Sequence, residues 1–508
     1  MEFEEDIIHR KLSPKLIGQI LSFLPTRDAV RTSVLSKKWA KNWTFITKMD
    51  IDDGLYYDES HSIQNCTRCK DECNWEFYVS DKVGFADFIL CKECYIEHHV
   101  LNNNGTNLRP TELREVKVGG GKKFGEHFIK FVYKALLLTQ QNNPNSSMLE
   151  RFSLVIDNRH DIDHLNTWIS HILKRGVKNL KIHSPFFKIP FYDSTSSYLL
   201  NSTLLEGLEF VLRMFTIINV PTNSVHFGHL KHLKLFGIFF DLSSDIFTLS
   251  LPTLKTFVIK NCDWSIGKEL NVEASLLEVI FIHQDFIDLP GRSIKFNASC
   301  LKEFSYYGDG ISHQINLSGC GFLSNASVKI SLKECENIIP NTYCFAFQLF
   351  HHFHQVKCIK LEGSEVLTQS EVVYPVNALP ELGNLIHLEI GLVSIEVVLG
   401  LLQRSPVLKT IVLKKIRMFD KERLNLAAVP ECLISALQIV KFQNINGDKQ
   451  ELLLAEFFLE KGKMLKRMSF YIDPKLIKFE SVADFIQKKV CSFKRGPSFS
   501  FFTYHKCY

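Results

Sequence analysis

The sequence predicts an α/β chain: a short helical head, a cysteine-rich insertion, and a long solenoid of parallel strands. Three observations predict it. Apolar residues recur at helical spacing over residues 12–45; two Cys-x2-Cys pairs stand 21 residues apart; and a degenerate L-x-x-L-x-L hexad returns thirteen times from Leu149 onward.

With 508 residues, 45% hydrophobic and 23% charged, the chain has an ordinary globular composition and length for several domains. Its 60 basic and 55 acidic residues leave a mild +5, so charge balance alone does not favour phosphate-driven nucleic-acid binding. The N-terminus "MEFEEDIIHRKLSPK" is acidic and lacks the basic and apolar regions of a secretory signal. No window of about 18 uninterrupted apolar residues suggests a membrane span. The expected location is the cytosol or nucleus, where the 14 cysteines are thiols or metal ligands rather than disulfides.

In the head, "LSPKLIGQILSFLPTRDAVRTSVLSKKWAKNWTF" reads as three short helices. Ser13 caps the first, with Pro14 at its first position, where a missing N–H costs nothing. Ile17, Ile20, Leu21 and Leu24 share one face, and Pro25 ends the helix. Thr26 is expected to cap the second helix, and Ser36 the third, whose Trp39 and Trp43 lie one turn apart. Leu16 and Phe23 fall outside the main stripe, so the apolar surface is wider than one small internal contact uses. Three helices in roughly 40 residues sit at the size where folding calls on a partner, a metal or a disulfide. Either the head packs on the rest of the chain, or its spare face docks another protein.

These residues resemble an F-box in its plant form, with Leu-Pro recurring after the first helix and Leu-Ser-Lys-x-Trp starting the last. Ser13 departs from the residue, often Asp, found between the opening Leu and Pro. The resemblance implies that Leu12, Pro14, Ile17, Ile20, Leu21, Leu24, Pro25, Leu35, Ser36 and Trp39 serve the contact with a Skp-type adaptor, itself joined to a cullin.

The hexads begin at residues 149, 177, 205, 230, 254, 277, 301, 327, 356, 385, 408, 437 and 465, in steps of 23 to 29. That interval is the period of a leucine-rich repeat. Alternation within each hexad predicts a short strand, and the rest of each unit returns by helix, 3₁₀ turn or loop to start the next parallel strand. Three residues after each hexad such repeats place Asn or Cys for the turn. Cys262 and Cys335 take that slot, and Asp157, Asp285, Asp309 and Asp473 put small polar groups there. Many of the 41 phenylalanines are expected in the core where leucine is usual. His351, His352 and His354 precede a strand and are read as solvated surface, because a histidine group needs further converging ligands to hold a metal.

Residues 429–473 resemble the FBD region of many plant F-box proteins: a Pro-x-Cys-Leu start, a strand, an acidic Gly-containing turn, an Ala-x-Phe-Phe-Leu helix and a final strand. "FVYKALLL" and "LERFSLVID" look like the first repeats of the same family. The resulting plan is an F-box at 6–50, an insertion at 56–121, degenerate repeats at 122–428, an FBD-like region at 429–473 continuing them, and a segment at 474–508.

The insertion carries Cys66-x2-Cys69 and Cys91-x2-Cys94. Two such knuckles at this separation form a zinc pattern, since each turn aims two thiolates at one tetrahedral ion. Four thiolates leave no position for water, which makes such a zinc structural. Cys73, His98 and His99 are surplus and leave other ligand sets open. The stretch between the knuckles is expected to form a hairpin. "VGGGKKFG" fails the phosphate-loop pattern and reads as a flexible joint. No nucleophile elbow, H-E-x-x-H or dinucleotide fingerprint is present.

The family resemblance therefore implies a non-catalytic substrate receptor of an SCF-type ubiquitin ligase, holding a protein target on its repeats. Two other readings stay open: a small-molecule sensor built on the solenoid, and a zinc-dependent nucleic-acid binder acting through residues 66–99.

Overall fold

The structure, a computed structural model, describes residues 12–37, 39–56, 64–65, 72–73, 76–80, 89–91, 113–117, 121–141, 148–156, 162–184, 193–220, 223–265, 267–285, 292–308, 311, 313–332, 345, 348–363, 379–416, 419, 424, 428–472, 479–494 and 501–506. The chain divides into two compact units, Met1–Ser147 with Ser153–Trp168 and Met148–Phe152 with Ile169–Tyr508. Among the described residues, no helix is long and apolar enough to cross a membrane.

In the first unit, helix Pro14–Leu21 begins as the sequence predicts: the Ser13 hydroxyl accepts from Leu16 N–H at 3.2 Å, and Pro14 occupies the first turn. The helix stops at Ser22, three residues before Pro25. Thr26 does not cap the next helix, Thr26–Arg31, but is its first residue; Pro25 stands at the cap position. Its buried hydroxyl instead accepts the N–H of Asp50 at 2.8 Å, tying the helix to strand Lys48–Asp52. Thr32–Val34 and Trp39–Phe45 are 3₁₀ helices, with Ser36 Oγ accepting from Trp39 N–H at 3.4 Å.

Ile17, Leu21, Ala29, Trp43, Ile46 and Met49 are buried together in this unit. Gly18 lets the first helix close onto Phe45, because a Cβ there would strike both the Phe45 side chain and its backbone. Helix Gly121–Gln141 covers the other side, burying Phe128, Val132, Ala135, Leu136 and Thr139 at helical spacing. Much of the core that the head lacks by itself thus comes from this helix. The helix also shortens the predicted joint: Gly121 through Gly125 of "VGGGKKFG" are its first turns.

Within residues 56–121 three strands pair antiparallel, with Glu76–Ser80 between Ile89–Cys91 and Leu113–Lys117. The predicted hairpin is present, and it sets Phe77 opposite Cys91. Gln64–Asn65 pairs with Glu72–Cys73.

In the second unit, strands follow in sequence order and pair parallel from Val177–Ser184 through to Phe501–Lys506. Each predicted hexad from residue 177 onward lies in or at the start of one of them, and their first, fourth and sixth residues are buried, as Leu230, Leu233 and Leu235 illustrate. The eighth hexad is out of phase. Val328 pairs with Phe304 and Ile359, both fourth residues, so this unit starts at residue 325 rather than 327 and the next step lengthens to 31. The strand Phe501–Lys506, inside the predicted C-terminal segment, adds a ladder rung without a recognisable hexad.

The returning segments differ along the unit. Between residues 224 and 316 they are strands, making a second parallel ladder through Ser224–His226, Ile246–Ser250, Glu269–Glu273 and the first residues of the two long strands that follow. Phe257 of the hexad ladder meets Phe296 of the returning ladder edge-on at 5.3 Å. After residue 390 the returns are helices, Ile395–Gln403, Glu431–Ser435, Lys449–Lys461 and Phe479–Ser492.

Seven residues past the hexad start, Gly237, Asn261, Gly363 and Asn444 take φ between 49° and 76°; Asn261 and Gly363 follow the ends of their strands, whereas Gly237 and Asn444 sit at register shifts within theirs. Asn261 and Asp285 lock two adjacent units, Asn261 Nδ2 donating to Asp285 Oδ2 at 3.0 Å and Asp285 N–H to Asn261 Oδ1 at 2.8 Å. Cys262 is buried in its predicted slot, donating to the Leu235 carbonyl at 3.1 Å, and burial pushes its pKa up to about 12, so it stays a thiol. Cys335, Asp157, Asp309 and Asp473 lie outside the described residues.

Two consequences can be measured by chemical denaturation. Gly363→Ala places a Cβ against the Leu332 carbonyl at a positive φ, whereas at Gly267, also at positive φ, a Cβ meets open space. We expect Gly267→Ala to cost about 1 kcal/mol of backbone strain and Gly363→Ala clearly more, about 3 kcal/mol; equal costs would refute this packing of adjacent units. The Glu451 carboxylate, reciprocally capping helix Lys449–Lys461, accepts the N–H groups of Gly447 and Asp448 at 2.8 and 3.0 Å. Burial, with Asp448 beside it, raises its pKa to about 7. The folded chain therefore keeps a proton that the unfolded chain has lost, and stability falls as pH rises from the ordinary carboxyl range to about 7. Glu451→Gln should gain on the order of 2 kcal/mol relative to wild type between about pH 4 and pH 8.

Candidate protein-docking surfaces

The first helix is apolar on two sides. Ile17 and Leu21 face inward and are 2% and 4% exposed. They serve the chain's own core, which corrects their expected place at an outer contact: a side chain already packed inside cannot present itself to a partner. Leu16, Ile20, Phe23 and Leu24, at i, i+4, i+7 and i+8, form a second stripe open to solvent, with Phe23 82% exposed. Val34 and Leu35 of the next 3₁₀ turn are exposed as well. Four large apolar side chains left in water along this short helix and the turn that follows it mark a surface built to be covered.

Of the other predicted contact residues, Pro14 and Pro25 are exposed, and Leu12, Ser36 and Trp39 are half-buried. Trp43 belongs to the core. Leu16, Phe23 and Val34 are not in the expected contact set, although Leu16 and Phe23 were legible as apolar residues outside the main stripe. The Lys48 ammonium stands 5.3 Å from the centre of the Phe23 ring, which orients that ring while leaving it open.

Cys66, Cys69 and Cys94 lie outside the described residues, as do His98 and His99; only the backbone of Cys91 is described, ending a strand. Among the described residues no group of His, Cys, Asp and Glu is arranged to hold a metal. His351–Phe353 is a 3₁₀ turn whose Phe353 is buried while His351 is exposed.

The second unit offers the face of its hexad ladder opposite the core. Lys178, Glu206 and Lys231 stand in register there with Nζ–Oε distances of 3.5 and 2.8 Å, and Lys181, Glu209 and Lys234 repeat the arrangement at 3.0 and 3.8 Å. Lys302 meets Glu278 at 2.7 Å. The Lys231 hydrogen bond holds Glu206 below its ordinary pKa. Such exposed pairs contribute about 0–1 kcal/mol each, so their effect is chiefly on the face's charge pattern.

Inside the same unit, Asp263 accepts from Arg292 Nε at 2.8 Å and from Trp264 N–H at 2.9 Å, with His313 Nε2 at 3.3 Å and its ring stacked on Trp264 at 4.7 Å. All four residues are buried and satisfied from within. The cluster ties three successive units together and exposes no reactive group.

Comparison with known proteins places names on these parts. A model of the F-box domain matches residues 10–44, and a model of the FBD region matches residues 425–470. A putative F-box protein of Arabidopsis thaliana is 24% identical over 489 residues, covering 89% of this chain and 86% of that protein. An F-box/LRR-repeat protein of the same plant is 23% identical over 89% of this chain and 85% of its own length. An FBD-associated F-box protein is 22% identical over 90% and 91%. No solved structure matches the chain. The chain thus carries an F-box domain and an FBD region and is similar along nearly its whole length to plant F-box and FBD-associated F-box proteins.

Proposed function

We propose that this F-box protein is the substrate-recognition subunit of an SCF-type ubiquitin ligase, docking a Skp-type adaptor through its head and a target protein on a leucine-rich-repeat solenoid. The observation that carries the reading is the second apolar stripe on the first helix. Leu16, Ile20, Phe23 and Leu24 remain open although the core beneath them is complete. Leu12, Pro14, Pro25 and Leu35 extend the contact, joined by Val34, while Ile17 and Leu21 hold the helix from behind. The parallel ladder at steps near 25 residues supports the solenoid reading.

No residue of the chain needs to do chemistry in this role. Holding a target beside a ubiquitin-loaded enzyme raises the effective concentration of its lysines, and that proximity is the gain. The cytosol or nucleus is the corresponding location. The insertion, on the spacing of Cys66, Cys69, Cys91 and Cys94, is a structural zinc knob in this proposal, supported by the hairpin between its two halves.

Two experiments test these readings. Leu24→Asp introduces a charge that the interface would bury unpaired, so recovery of a co-expressed Skp-type adaptor should fall by at least about tenfold. Leu24 is exposed, and the melting temperature of the variant should stay near that of the wild type; full adaptor recovery would refute the placement. Metal analysis of the chain purified under reducing conditions should find about one zinc per chain, lost when Cys66 and Cys69 are replaced by Ser.

A further inference from the structure

The open face of the hexad ladder changes character along its length. In its first half each glutamate of the lysine lanes stands between two lysines, Glu206 between Lys178 and Lys231, Glu209 between Lys181 and Lys234, and Glu278 between Lys255 and Lys302, so each of these lysines has a carboxylate on a neighbouring rung. Over the last five hexads, at residues 356, 385, 408, 437 and 465, the same positions read differently. Lys357, Lys409 and Lys466 occupy every second rung of one lane, with uncharged Ile386 and Gln438 between them. Lys360, Lys414, Lys441 and Arg467 stand on the neighbouring lanes. Against these are Glu362 and Glu389, and Glu389 is already clamped between Lys360, at 3.1 Å, and Lys414. Lys357, Lys409 and Lys441 form no ion pair among the described residues.

Among the described residues of this face, seven cations stand against two carboxylates, a local surplus equal to the +5 carried by the whole chain. Ile386, Ile439 and Tyr471 lie half-exposed among them, an apolar centre inside a basic rim. We infer that this end of the sheet face binds an acidic, extended segment of a partner protein whose carboxylates meet the lysine lane and whose apolar residues cover the isoleucines. Alternate rungs are about 9–10 Å apart, close to one three-residue turn of a polyproline II chain, which sets every third side chain on the same side. An acidic residue at every third position of a segment in that conformation therefore meets successive lysines. A nucleic acid fits less well, because Glu362 stands exposed on the same face and repels a continuous run of phosphates. The inference rests on the proposed receptor role and specifies the chemistry of its target.

The test uses the full chain co-purified with a Skp-type adaptor. The probe is a fluorescein-labelled peptide of repeated Glu-Leu-Ser, followed by anisotropy. Binding should weaken with salt. Lys409→Glu with Lys441→Glu should weaken it by at least about tenfold, the corresponding glutamine pair less, and Lys255→Glu, beside Glu278 in the first half, by less than about twofold. Unchanged melting of the glutamine pair keeps the comparison valid if the charge reversal perturbs folding. Absence of peptide binding overturns the inference, as does equal loss in Lys255→Glu. So does tighter binding of a labelled oligothymidylate that depends on Lys409 and Lys441, which assigns the patch to nucleic acid. Adaptor recovery is scored in the same preparations. Peptide binding without the adaptor defeats the ligase reading alone, and adaptor recovery without peptide binding defeats the acidic-segment reading alone.

Discussion

The parallel register of the hexad ladder is the constraint on which most of this molecule depends. Each strand's backbone groups find their partners only in the strands before and after it, and its first, fourth and sixth residues fill the interior only if that register holds. A slip of one residue would turn Leu233 and Leu235 into solvent and bring Lys234 into the core. Because side chains two strands apart also stay aligned, the same register makes ladders of charge on the open face. Packing inside and pattern outside are consequences of a single alignment.

The units tolerate very different returns as long as that alignment survives. In the middle of the ladder the chain returns as a second set of strands, and near the end it returns as helices, yet the hexads remain parallel and in step. Four units bend at the same position of the repeat, where Gly237, Asn261, Gly363 and Asn444 adopt left-handed backbone. Asn accepts that conformation at modest cost, and at Asn261 its amide also bonds the adjacent unit. Buried Asp263, Arg292 and His313 add a specific tie in the stretch where returns are strands.

The head illustrates a different use of apolar residues. Its first helix divides them between two faces, one completing a core with helix Gly121–Gln141 and the other left in water. In an isolated globule the outer stripe would be an aggregation hazard; in the proposed function it is the surface that a partner covers.

Most of the fold was legible in the residues, since hexad spacing and alternation are local properties read along the chain. So were the Ser13 cap, the insertion hairpin and the identity of the two end domains. Other features were decided only by tertiary packing. Ile17 and Ile20 are equally apolar and three residues apart, and only the packing of the first helix against Trp39–Phe45 makes one internal and the other external. Thr26 gave up capping because Asp50 N–H came within reach, the eighth unit shifted by two residues to stay in register with Phe304 and Ile359, and the last strand joined without any hexad. Period and patterning come from the order of side chains, which a sequence contains; which face is free and which lysines share a lane depend on neighbours distant in the chain, which only the folded molecule brings together.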